Sequence, residues 1–215
     1  MHWLDPDYLP EVSGTLDRFL LNPHGDADGM LLVDGTEVHF APHMSGELQA
    51  AIRTGENVRI RGVRPRGCDL IAAVAIETSG GRRIVDNGPP KGGSAEEKPD
   101  AHAARPKGEP MDAEGIVERV LHGPRGEARG VLLEDGRVIR IPAHGAERHA
   151  PLLAPGKTLA VRGEGLVAAL GTAIEAREIG PSLDDLEPLG SGKPKKPAKP
   201  KRERGHGHDA RADGA

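Results

Sequence analysis

Apolar and polar residues alternate in a few short stretches of this chain, and the same stretches return 101 residues later. In "TEVHFAP", Val38 and Phe40 fall on one side of a strand and His39 on the other. That period of two marks a half-buried strand. "GRVIRIPA" repeats it, with Ile139 and Ile141 inward and Arg140 outward. "NVRIRG" and "TLAVRG" predict a further strand with Val58 and Ile60 (Leu159 and Val161) inside, and with Arg59, Arg61 and Arg162 outside. Between these lies "PHMSGELQAAIRTG", where Leu48, Ala51 and Ile52 make one helical face, Ser45 is placed to cap the N-terminus and Gly55 suits the C-terminal cap. In the second copy Pro151 predicts a short or broken helix, because it removes an interior hydrogen bond. "GTLDRFLL" and "GIVERVLH" read as strands whose apolar positions break step, Leu16 to Phe19 and Val117 to Val120, which predicts a bulge. "GMLLV" and "GVLLE" give a short second strand, and roughly 71–78 and 172–179 a fifth. Asp34-Gly35 and Asp135-Gly136 predict two-residue type I′ hairpin turns.

The recurrence is a duplication. From Gly14 to Gly62, 15 of 49 positions are identical to those 101 residues further on, without a gap. Two copies of so long a unit predict tandem domains rather than a solenoid. The order in each copy is strand, strand, strand, helix, strand, strand. With the first-strand phase break and the paired glycines, this resembles the OB-fold, a five-stranded Greek-key barrel with its helix between strands three and four. An SH3-like barrel is the rival, and it would not place a full helix there. The chain is also similar to uncharacterised bacterial proteins with two tandem OB-like repeats. The predicted fold class is all-β with minor α: two tandem barrels at 14–79 and 113–181. An N-terminal segment covers 1–13, a flexible linker 80–112 and a disordered Lys/Pro-rich tail 182–215.

Composition narrows the chemistry. Aromatic residues are 2% of the chain, namely Trp3, Tyr8, Phe19 and Phe40, so the second repeat must build its core from aliphatic residues. The lone Cys68 excludes an internal disulfide and fits a reducing compartment. "MHWLDPDYLPEV" has no basic and apolar leader pattern, and no run approaches the roughly 20 apolar residues of a membrane helix. These features lead us to expect a cytoplasmic protein with no membrane partner.

No motif carries catalysis. "GSGKP" departs from a phosphate loop, with Glu187 at the first glycine position and Pro194 where Ser or Thr belongs. "GEGLVA" joins two strands rather than a strand and a helix, and "DADG" runs into Met30 where a calcium loop needs oxygen. His39 with His43, or His144 with His149, lack a third metal ligand at set spacing. His43 and His144 share one repeat position, which suits a structural hydrogen bond or cap. We expect no catalytic residue, no metal and no cofactor.

Cations are the remaining candidates. Arg59, Arg61, Arg64 and Arg66 form a stripe in the first repeat, with Arg140 and Arg162 outward in the second. Lys193, Lys195, Lys196, Lys199, Lys201, Arg202 and Arg204 crowd one stretch beside the single Glu203. Repeat one holds nine acids against six bases, and 115–181 holds eight against nine. Both repeats nearly balance their charges, so the tail would dominate any attraction to phosphate. Two functions fit this composition. One is a non-enzymatic protein binding single-stranded nucleic acid weakly and without sequence preference. The other is a module that docks a protein or a small ligand, which the scarcity of aromatic residues favours. The sequence leaves the oligomeric state open.

Overall fold

In the computed structural model, described over residues 5–65, 69–88, 108–123 and 125–190, both repeats close into five-stranded barrels. Barrel one comprises β1 (Glu11–Leu21), β2 (Ala27–Leu32), β3 (Glu37–His39), α1 (Ser45–Ala51), β4 (Asn57–Val63) and β5 (Leu70–Thr78). Strand β1 pairs antiparallel with β2 and β4, and a parallel β3–β5 pairing closes the barrel. Barrel two repeats this order with β7 (Glu109–His122), β8 (Ala128–Leu133), β9 (Val138–Arg140), α2 (Ala143–Arg148), β10 (Thr158–Ala168) and β11 (Gly171–Ser182), closed by parallel β9–β11. This is the expected OB-fold topology.

The expected phase breaks are bulges. Leu16 faces Leu32 but Arg18 faces Leu31, and Val117 faces Leu133 but Arg119 faces Leu132. One extra residue, Asp17 or Glu118, lets both Leu16 and Phe19 reach the interior. A second bulge follows Arg61 and Arg162. A side chain at Gly62 or Gly163 would strike the carbonyl of Ala72 or Glu175, which explains the glycine at both positions. Phe19 and Phe40 meet edge to face in barrel one, with ring centroids 6.5 Å apart.

Several local expectations are corrected. The Asp34-Gly35 hairpin is not a two-residue turn: the Gly35 N–H donates to the Leu32 carbonyl, and the Leu32 N–H to that of Thr36. The loop is thus one residue longer, with Gly35 left-handed at φ 86° and the Asp34 carboxylate receiving the Thr36 N–H. Gly136 and Asp135 reproduce it. Ser45 does not cap α1. Its buried hydroxyl receives the Ala27 N–H at 2.8 Å and ties the helix to β2. Gly55 lies beyond the helix end at Ile52, in a turn whose N–H reaches Leu16. In repeat two α2 is short, and Pro151 sits in the first turn of a 3₁₀ helix, Ala150–Leu153.

The expected linker and tail lose their ends to the barrels. Within 80–112, β6 (Arg83–Val85) pairs with β5, its Ile84 buried in the core, and β7 starts at Glu109. Within 182–215, β12 (Asp185–Pro188) pairs with β11 and is followed by the buried Leu189.

The two barrels share a core. By cross-strand register, Arg18, Leu20, Leu31, Glu37 and His39 lie on the outer face of β1–β2–β3, opposite to Phe19, Met30 and Val38. In repeat two that outer face holds Arg119, Leu121, Leu132, Val138 and Arg140. Leu121, Leu132, Val138 and Ala173 are buried in one apolar cluster with Leu20 and Leu31. The faces pack on each other about a pseudo-twofold axis: Arg119 donates to the Gly35 carbonyl at 2.9 Å, while Arg18 lies beside the equivalent Gly136. Full burial of each such leucine contributes about 1.5–3 kcal/mol.

Candidate nucleic-acid interface

An OB barrel offers ligands the outer face of its second and third strands and the adjoining loops. Here that face in each repeat is covered by the other. Arg140 shows the consequence. It points out of its barrel, as the alternation requires, but into the first repeat rather than into solvent. It is 8% exposed, donates through Nε to the Leu21 carbonyl at 2.9 Å and pairs with Asp28. The expectation of an open binding residue is corrected: facing out of a strand is not facing out of the molecule. Burial pushes the Asp28 carboxyl up despite the attraction of Arg140.

The stripe on β4 is open to solvent but its charge is matched. Arg59 stands directly across from Glu77 on β5 and pairs with it. Arg61 stands across from Glu11 on β1 and reaches it at 2.6 Å. Arg162 in repeat two lies between Asp112 on β7 and Glu178 on β11, each at 3.1 Å, and Asp112 first and then Glu178 hold its guanidinium in the charged form. Strand register therefore puts a carboxylate beside each cation. Arg64 is exposed in the loop after β4 and makes no ion pair among the described residues. Arg66 and the tail cations Lys193, Lys195, Lys196, Lys199, Lys201, Arg202 and Arg204 lie outside the described residues.

Three features escape a reading of the sequence. Tyr8, in a 3₁₀ turn before β1, is 87% exposed and is the one exposed aromatic residue among those described. Its neighbour Asp7 accepts from Arg61 through the backbone at 3.4 Å and pairs with Arg83 at 2.8 Å. The second feature is Glu37, buried between the repeats. It receives the Nε2 of His39 at 3.0 Å, the Nδ1 of His122 at 3.1 Å and the His122 N–H. Burial pushes the Glu37 carboxyl up, but these hydrogen bonds outweigh it and hold it below the ordinary range. Glu37 stands where repeat two has Val138, and that mismatch between copies is its signal in the sequence. The third is a cleft of about 380 Å³ near the pseudo-twofold axis, walled by Asp28, His39, His122, Arg129, Arg140 and Glu175 among others.

His43 and His144 are both structural ties. His43 Nε2 lies 3.2 Å from Asp86, just after β6, and His144 Nε2 lies 3.0 Å from the carbonyl of Gly190, after β12. Each fastens the helix region to the segment leaving its barrel. Among the described residues no three metal-ligating side chains converge, and no helix is long and apolar enough to cross a membrane.

No protein-family model matches the chain, and no curated protein matches it. Among solved structures it is similar to the wild-type single-stranded DNA binding protein from Thermus aquaticus, at 16% identity over 86% of this chain and 94% of that one, with a TM-score of 0.25. A deletion mutant of the same protein gives 18% identity over 83% and 95%, with a TM-score of 0.26. The OB-fold assignment rests on the strand order and barrel closure described above.

Proposed function

We propose that this chain is a non-enzymatic binding protein that holds single-stranded nucleic acid weakly and without sequence preference. The basic segment 193–204 supplies the attraction and the paired barrels act as its scaffold. The observation that carries this reading is the partition of charge. Arg59, Arg61, Arg140 and Arg162 each have a carboxylate partner, whereas 193–204 sets seven bases against one acid. A sequence excess of cations over acids releases counterions from phosphates, and each neutralised single-strand phosphate adds about 0.7 to the logarithmic salt slope. Titrating a labelled single-stranded oligonucleotide with the full chain over a salt series tests this. A slope of several phosphates supports it, and no binding at low salt refutes it.

The cleft between the repeats favours a second reading, a module that docks a small ligand there. It is polar on both sides and draws residues from both barrels. Binding unaffected by salt, and abolished by filling the cleft, would select that reading.

A further inference from the structure

The two repeats meet through equivalent faces, yet equivalent positions carry unlike residues. Asp28 corresponds to Arg129, His39 to Arg140, Glu37 to Val138 and Leu21 to His122. Across the interface, the first of these positions meets the second of the other repeat, as Asp28 meets Arg140. The third meets the fourth, as Glu37 meets His122. Two copies of the repeat-two face in this geometry would set Arg140 against Arg129. Two copies of the repeat-one face would bury Glu37 against Leu21, leaving it the His39 imidazole of its own repeat but none from across the interface. A buried charge that loses a partner destabilises an interface. The apolar part of the face does not discriminate, since Leu20 and Leu31 match Leu121 and Leu132.

We infer that the outer β1–β2–β3 face of repeat one is a heterotypic docking surface whose partner is the matching face of repeat two, selected by Asp28–Arg140 and Glu37–His122, within one chain or between two copies of it. This is independent of nucleic-acid binding. Duplication supplied the shared leucines, and divergence at four positions made the two faces complementary in charge to each other.

Complementary full-length variants test it. One carries Asp28→Arg and Glu37→Arg, the other Arg140→Asp and His122→Glu. Alone, each sets like charges across its own interface. Mixed, the altered face of each finds an opposite charge on the other, and the two unaltered faces make the native pair. Light scattering after size exclusion should show a one-to-one complex of twice the chain mass in the mixture only. A mixture no heavier than its components, or variants that self-associate alone as readily as they combine, overturns the proposal. Should either variant fail to fold by itself, all four substitutions in one chain should restore a folded monomer melting within a few degrees of wild type. Failure of that chain to fold overturns the proposal equally.

Discussion

The carboxylate of Glu37 is held from the other half of the molecule: the backbone N–H of His122 donates to its two oxygens at 3.0 and 3.1 Å. With the imidazoles of His39 and His122 added, this buried group has a full set of partners. Its pKa lies below the ordinary carboxylate value of 4.5. A lowered pKa means stability that is present above about pH 4.5 and lost as pH falls through the folded value. Asp28 has the opposite sign: its raised pKa makes its ionised form a cost, relieved as it takes up a proton. Comparing wild type with Glu37→Gln isolates the Glu37 part. The variant should be less stable at pH 7 by about 1–3 kcal/mol, and the gap should narrow below pH 4.5. Urea denaturation at a series of pH values checks it, and a pH-independent gap would contradict the assignment.

The shared core predicts cooperative unfolding. Leu132 is fully buried in the cluster that contains Leu20 and Leu31 of the other repeat. Leu132→Ala should cost about 2–5 kcal/mol and lower the melting of the whole described structure together. Calorimetry should give one transition in both proteins. Two resolved transitions, with only one shifted by the substitution, would mean that the barrels fold separately.

Two glycines separate backbone cost from contact cost. Gly35 and Gly55 have φ of 86° and 87°, but a side chain would meet the Arg119 guanidinium at the first and open space at the second. Gly55→Ala should cost about 1–2 kcal/mol from the left-handed backbone alone. Gly35→Ala should cost more, because its carbonyl anchors Arg119 across the interface. Equal losses on thermal melting would remove Arg119 from the set of interface ties.

Matched charges make the β4 arginines quiet. Changing Arg59 and Arg61 to Ala should lower stability by only about 0.2–1 kcal/mol per pair. It should leave the salt slope for a single-stranded oligonucleotide nearly unchanged, since Glu77 and Glu11 already occupy these cations. A large fall in the slope would place phosphate on this stripe after all.

The fold was legible where the sequence is written twice. The phase break from Leu16 to Phe19 returns at Val117 and Val120, and both are bulges. Pro151 told of a broken second helix because its missing N–H has a fixed cost. Turn geometry was less legible, since Asp-Gly suits both a two-residue turn and the longer loop in which only Gly35 is left-handed. Hydrophobic alternation reports inside and outside of one barrel, and it is blind to a second barrel packed on the outer face. For that reason Arg140 read as a solvent cation, and the pairing of Glu37 with His122 was not visible. Leu20 and Leu31 carried a hint, being apolar on a face that also holds Arg18, Glu37 and His39. The ion pairs of Arg59, Arg61 and Arg162 followed from register, which depends on bulges that a sequence locates only roughly.

The most direct measurement is the affinity of a labelled single-stranded oligonucleotide at one low salt concentration, compared between the full chain and a chain ending at Gly190. The barrels described here are complete in the shorter chain, and its circular dichroism should match in the strand region. Removing 191–215 should weaken binding at least tenfold, since eight lysines and arginines leave with it, seven of them in 193–204. Equal affinity for the two chains would contradict the proposed role of the segment and move the binding surface onto the barrels.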